Sequence, residues 1–193
     1  MSKVSFPVTG DPHADDLLVE SPLALLIGML LDQQVPIEWA FRGPSTLRDR
    51  LGTDLDATTI AEMDVGDLEE IFKQKPAIHR YPSSMARRTH ALCRHIVDTY
   101  DGDAGKLWRR VKGPEEVFDR IRVLPGYGEE KSRIFLAILG KRLREAPHGW
   151  EAYAGVFADS EPRSVADIDS RESLLRVREW KKAQKAAKKG KAD

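Results

Sequence analysis

The stretch "LPGYGEEKSRIFLAILGKRL", residues 124–143, breaks a helical chain with Pro125, Gly126 and Gly128 and then restarts a helix at once. Before it, "GPEEVFDRIRVL" predicts a helix opened by Pro114, with acids in its first turn where the helix dipole favours them. After it, Ile134, Phe135, Ile138 and Leu139 supply an apolar face at helical spacing. So tight a join has two physical readings. In the first, the glycines admit φ > 0 and let a ligand approach the backbone. The new helix then offers unpaired N–H groups at its positive end, which accept a phosphate oxygen without any charged side chain. In the second, the turn is a plain helix–turn–helix connection closed by a glycine cap.

Working outward, the helical period recurs and strand patterning is nearly absent. "SPLALLIGMLLDQQ" has Ser21 to cap it and Pro22 at its first position, and is apolar nearly all round, which predicts a central helix. In "PIEWAFRGPSTLRDRLG", Pro44 is expected to break or kink the helix. "VGDLEEIF" predicts a short helix. "YPSSMARRTHALCRHIVDTYDGD" predicts a long one, with Met85, Leu92, Cys93, Ile96 and Val97 on one face. Residues 145–169 are polar and Gly/Pro-punctuated, hence mostly loop, and a final helix follows Ser170. The expected organisation is one all-α unit over 1–180, its chain ends packed together, followed by a frayed basic tail over 181–193.

The 193 residues are 41% hydrophobic, enough for a real core. Lys+Arg and Asp+Glu both total 31, so charge informs only through its distribution. Residues 181–193 hold six lysines against Asp193, +5, leaving −5 on the rest, and such a tail commonly contacts polyanions. The single cysteine, Cys93, excludes a disulfide framework and a cysteine-ligated iron–sulfur cluster within the chain, and fits a reducing cytosol. The first residues lack the apolar core of a signal peptide, and "PLALLIGMLL" is too short to span a bilayer. His90, Cys93 and His95 do not share one helical face and no fourth ligand accompanies them, so no metal is expected.

"LPGYGEEKS", with Ser132 as the small residue after the second glycine, resembles the helix-hairpin-helix signature. "LLIGMLLDQQVPIEWAF" resembles the early helix-turn of the helix-hairpin-helix base-excision DNA glycosylase superfamily (HhH-GPD), which includes endonuclease III. Together with "PAIHRYPSSMARR", these stretches are similar to a small bacterial subfamily of glycosylase-like proteins. The resemblance covers roughly residues 20–145. It implies an all-α fold of two lobes around a DNA cleft, double-stranded DNA as partner, a nucleoid-associated cytoplasmic monomer, and base flipping. An enzyme that acts on a base within a duplex must extrude it and fill the gap. Gln34 matches the filling position, with Gln33 beside it, and an amide can both donate to and accept from the widowed base. The hairpin residues Leu124, Pro125, Gly126, Tyr127 and Gly128 and the adjacent Lys131 are the expected DNA contacts. No cofactor is expected, although a monovalent cation could sit at the hairpin.

The resemblance further implies a carboxylate about twenty residues past the second glycine, to stabilise positive charge on the sugar as the N-glycosidic bond breaks. That count reaches His148. Asp167, in "SVADIDS" before the final helix, is the first choice for the displaced acid, and Asp159 the alternative. Members that also cut the strand carry a lysine two residues past the second glycine; here Glu130 stands there and Lys131 is its neighbour. A one-residue shift on a helix turns the side chain by about 100°. The expectation is therefore a monofunctional glycosylase without lyase activity. His79, in a turn with Tyr81, together with His148 and Trp150, are candidates for a base pocket. Two other classes remain open: a non-catalytic helix-hairpin-helix DNA-binding protein, which His148 at the acid position would favour, and a protein–protein module whose hairpin amides meet protein.

Overall fold

The computed structural model describes residues 4–187 and is all-helical, with no strand among them. Ten α-helices follow one another: α1 Pro12–Glu20, α2 Pro22–Leu31, α3 Ile37–Leu51, α4 Ala57–Glu62, α5 Val65–Lys73, α6 Pro82–Tyr100, α7 Pro114–Arg122, α8 Glu129–Ile138, α9 Trp150–Ala154 and α10 Arg171–Ala186. Short capping residues set most of the starts. Ser21, Asp56, Asp64 and Ser170 each accept a backbone N–H in the first turn of the helix they precede. Helices α1 and α4 lay outside the sequence expectation, although Asp11–Pro12 and Asp56 carry the usual start signals.

Helix α2 is the axis of the molecule, with every residue from Leu23 to Leu31 buried. α1 and α3 pack against it, α6 crosses it, and α4 and α5 lie on α6. Pro44 does not break its helix: α3 runs through it without interruption. Its neighbour Gly43 explains the tolerance, because a Cβ there would meet Leu31 Cδ1 at 2.4 Å. α3 crosses α2 so closely at this point that packing outweighs one lost backbone bond.

Helix α8 is buried far beyond the four-residue face read from the sequence, since all of Ile134–Leu139 is enclosed. Its last turn widens into a π turn over Leu139–Leu143 and ends at Arg144, which is left-handed at φ 58. The stretch expected to be loop carries α9 and two 3₁₀ turns, Gly155–Ala158 and Val165–Asp167. Phe157, Val165, Ala166 and Ile168 pin these turns into the core. α10 continues through Lys181 and Lys182 to Ala186, and Arg178 pairs with Glu38 of α3. Lys188, Lys189 and Lys191 lie outside the described residues.

Candidate nucleic-acid interface

The hairpin is held from inside. Leu124 and Tyr127 bury their side chains, and the Tyr127 hydroxyl donates to the Leu26 carbonyl of α2 at 2.7 Å. Burial drives the pKa of that phenol far above its ordinary value. These two residues can therefore offer a ligand only backbone groups. Gly126 is left-handed at φ +82, and a Cβ on it would sit 2.2 Å from Leu30 Cδ1, so both conformation and space demand glycine. Gly128 differs. It is extended, φ −125, and a Cβ there would meet nothing within 4 Å. Neither strain nor packing requires glycine at this position; it keeps open the space in front of α8. No side chain caps that helix. The Ser132 hydroxyl donates to the Gly128 carbonyl at 2.7 Å and fixes the turn from behind.

The glutamine turn meets the hairpin at one atom. Gln33 Nε2 donates to the Leu30 carbonyl at 2.9 Å, and Lys131 Nζ donates to the same carbonyl at 3.2 Å. Lys131 also lies over the Tyr127 ring, 5.9 Å from its centroid. Leu30 thus contacts the hairpin through its side chain and joins both elements through its carbonyl. Gln33 is turned back onto the protein, with its Oε1 accepting from Arg88 Nη1 at 3.0 Å. Gln34 is exposed and left-handed at φ 56, uncommon for a residue with a side chain. Its Oε1 accepts from the Tyr81 hydroxyl at 3.3 Å. Arg88 and Tyr81 complete this edge.

The three base-pocket candidates differ in exposure: His79 is buried, Trp150 half-buried and His148 exposed. His79 is wholly buried behind the glutamine turn and both ring nitrogens bond backbone groups, so it meets no base. Trp150 packs against the π turn that follows α8: a Cβ on Gly140 would come within 2.2 Å of its indole. His148 is exposed on the loop before α9.

The candidate acids lie near the opposite end of α8. Asp167 Oδ1 accepts from Lys141 Nζ at 2.6 Å, and its Oδ2 accepts from Ser164 N at 2.9 Å in a capping box. The side chain is only 8% exposed. Lys141 also donates to the Asp159 carbonyl at 2.5 Å, while the Asp159 carboxylate takes Arg163 Nε and Glu161 N, each at 2.9 Å. Lys141 stands thirteen residues past Gly128 (141 − 128), roughly 20 Å along a helix axis. A cavity of about 440 Å³ opens over this group, lined by Lys141, Arg142, Asp159, Asp167 and also Asp169. Asp169, two residues past Asp167, went unread in the sequence. It is the most open of the three carboxylates at 62% exposed, with Arg142 at 3.6 Å. The Ser173 hydroxyl, before the other contacts, holds its carboxyl below the usual range. A larger cavity, about 680 Å³, between the start of α7 and α9 touches neither Gln34 nor these three acids. Cys93 is buried, and burial pushes its thiol up. Among the described residues no group of three His, Cys, Asp or Glu is placed to hold a metal, and no helix is long and apolar enough to cross a membrane.

The family model described as "HhH-GPD superfamily base excision DNA repair protein" matches residues 27–192. No curated protein and no solved structure matches the chain.

Proposed function

We propose that this chain, which belongs to the HhH-GPD superfamily of base-excision DNA repair proteins, grips double-stranded DNA at the hairpin, fills the duplex with Gln34 and hydrolyses the N-glycosidic bond of the flipped, damaged base. The convergence of Gln33 and Lys131 on the Leu30 carbonyl carries this reading. It sets an outward amide beside an uncapped helix start, so one duplex can meet both. The phosphate lies against the open space at Gly128, and Gln34 enters the gap left by the extruded nucleotide. The protein works as a monomer in the cytoplasm, at the nucleoid, without a resident cofactor.

Hydrolysis places water on C1′ of the sugar as the base departs, leaving an abasic site and the free base. A carboxylate stabilises the positive charge that develops and takes the water's proton. Asp167 is the proposed carboxylate, held rigidly by the Ser164 capping box, with Asp159 next. Strand cleavage by an amine does not follow, because Glu130 stands where that lysine would be and Lys131 is bonded to Leu30.

One observation favours the second reading, a DNA-binding protein without catalysis: both Asp167 oxygens are taken by Lys141 and Ser164. A carboxylate neutralised by an ammonium stabilises a developing cation poorly until that pair opens. Duplexes carrying uracil, alkylated or oxidised bases separate the two. The enzyme gives nicks on at least one of them only after alkali, and Asp167→Asn abolishes these while binding stays nearly intact. Undiminished nicking by Asp167→Asn transfers the role to Asp159 or Asp169. Absence of nicking on every duplex selects the non-catalytic reading.

A further inference from the structure

The geometry points to His79 as the positioning residue of the Gln34 wedge: its buried imidazole ties the glutamine turn to the start of α6 and so sets the direction in which Gln34 projects. The inference rests on the DNA-bound reading above and deepens it. His79 is 0% exposed. Its Nδ1 accepts the Tyr81 backbone N–H at 3.0 Å, so the proton of the neutral ring sits on Nε2. That Nε2–H faces two carbonyls, Leu31 at 3.1 Å and Gln33 at 3.0 Å. One ring therefore joins the last residue of α2, the peptide that leads into Gln34, and the entry to α6. Gln34 holds φ 56, a conformation a non-glycine residue keeps only when its surroundings impose it. The same entry to α6 carries the Tyr81 hydroxyl that meets Gln34 Oε1. An apolar side chain of similar size would fill the space; only the two-sided bond needs an imidazole or an amide.

The bond set requires the neutral ring, since a protonated Nδ1 cannot accept from Tyr81. The charged groups facing the ring are Lys131 of α8 and Arg88 of α6. The other neighbours are the rings of Trp39 on α3 and Tyr81 before α6. Burial first, and then those two cations, hold its pKa below the ordinary 6.5. The clamp is closed near neutral pH and opens as pH falls below 6.5 and through the lowered value.

The test compares the affinity of the full chain for an intact duplex and for the same duplex carrying a tetrahydrofuran abasic-site analogue, by fluorescence anisotropy. The parent prefers the abasic duplex. His79→Leu loses about tenfold of that preference with intact-duplex affinity unchanged, whereas Tyr81→Phe keeps the backbone N–H that His79 accepts and serves only as the control for the hydroxyl contact to Gln34. His79→Gln can accept from Tyr81 and donate to the carbonyls, so it keeps the preference and holds it flat as pH is lowered past 6.5, while the parent's declines as the imidazole takes up a proton. The inference is overturned if His79→Leu discriminates as the parent does, or if His79→Gln shows the parent's pH decline. A parent without any preference removes the wedge reading itself, and this inference with it. Should His79→Leu fail to fold, as a circular dichroism melt would reveal, the pH profiles of the parent and His79→Gln decide.

Discussion

The two ends of α8 are built on opposite principles. At its start the chain leaves groups open: Gly128 faces empty space, no side chain caps the helix, and Gln34 projects beside it. At its far end the chain closes on itself, with Lys141 bonded to both Asp159 and Asp167 and Ser164 bonded to Asp167. A helix start without a side-chain cap is the kind of terminus that can take an external phosphate. A closed ion pair serves the fold first, and any chemistry there has to disturb it. The two glycines of the hairpin repeat the contrast on a smaller scale, with Gly126 packed against Leu30 and Gly128 free of any neighbour.

Substitutions at these positions sharpen the comparison. The largest effect is expected from Gly126→Val, which forces a branched side chain into a left-handed backbone and onto Leu30; a loss of about 3 kcal/mol or more in urea unfolding is the outcome. Gly128→Ala should instead be neutral or stabilising by up to about 1 kcal/mol, because the site is extended and open. Equal losses at both glycines would erase the distinction. Asp167→Asn comes next: it strands Lys141, whose side chain is 14% exposed, and should lower stability by about 1–3 kcal/mol. Asp169→Asn, at an exposed carboxylate, should stay within about 0.5 kcal/mol. If Asp169→Asn were the costlier of the two, the far end of α8 would not be closed in the way described. The smallest effect belongs to removal of residues 188–193, which takes away three lysines and Asp193. It should only flatten the salt dependence of duplex binding, by up to about two units of slope.

The fold was largely legible in the sequence, because caps and apolar periods specify helices locally. Ser21–Pro22 and Ser170 mark helix starts that the structure retains, and the apolar run after Ser21 is the buried axis. Pro44 misled because the rule for proline in a helix is local, while the α2–α3 crossing that overrides it is tertiary. At the hairpin and at Gln33–Gln34 the sequence specifies the local backbone, because turn geometry follows from residue type. The contacts that enclose His79 were not legible there. Whether a histidine faces a ligand or clasps two carbonyls depends on contacts forty-six and forty-eight residues away, and no spacing rule reports them. Asp169 was hidden by its neighbour Asp167, which shares the same short string and is the more buried of the two.

The hairpin's grip on DNA is tested most directly by Gly128→Asp. An aspartate there adds a carboxylate to the space where a phosphate oxygen should sit, without crowding any neighbour and at a backbone conformation open to every residue. The measurement is the dissociation constant of parent and variant for an undamaged duplex at fixed salt, beside a thermal melt of each. The account predicts at least a tenfold weaker complex, about 1.4 kcal/mol, with a melting temperature equal to or above the parent's, since an aspartate at this N-cap position also suits the helix start. A variant that melts like the parent and binds the duplex equally well would contradict it.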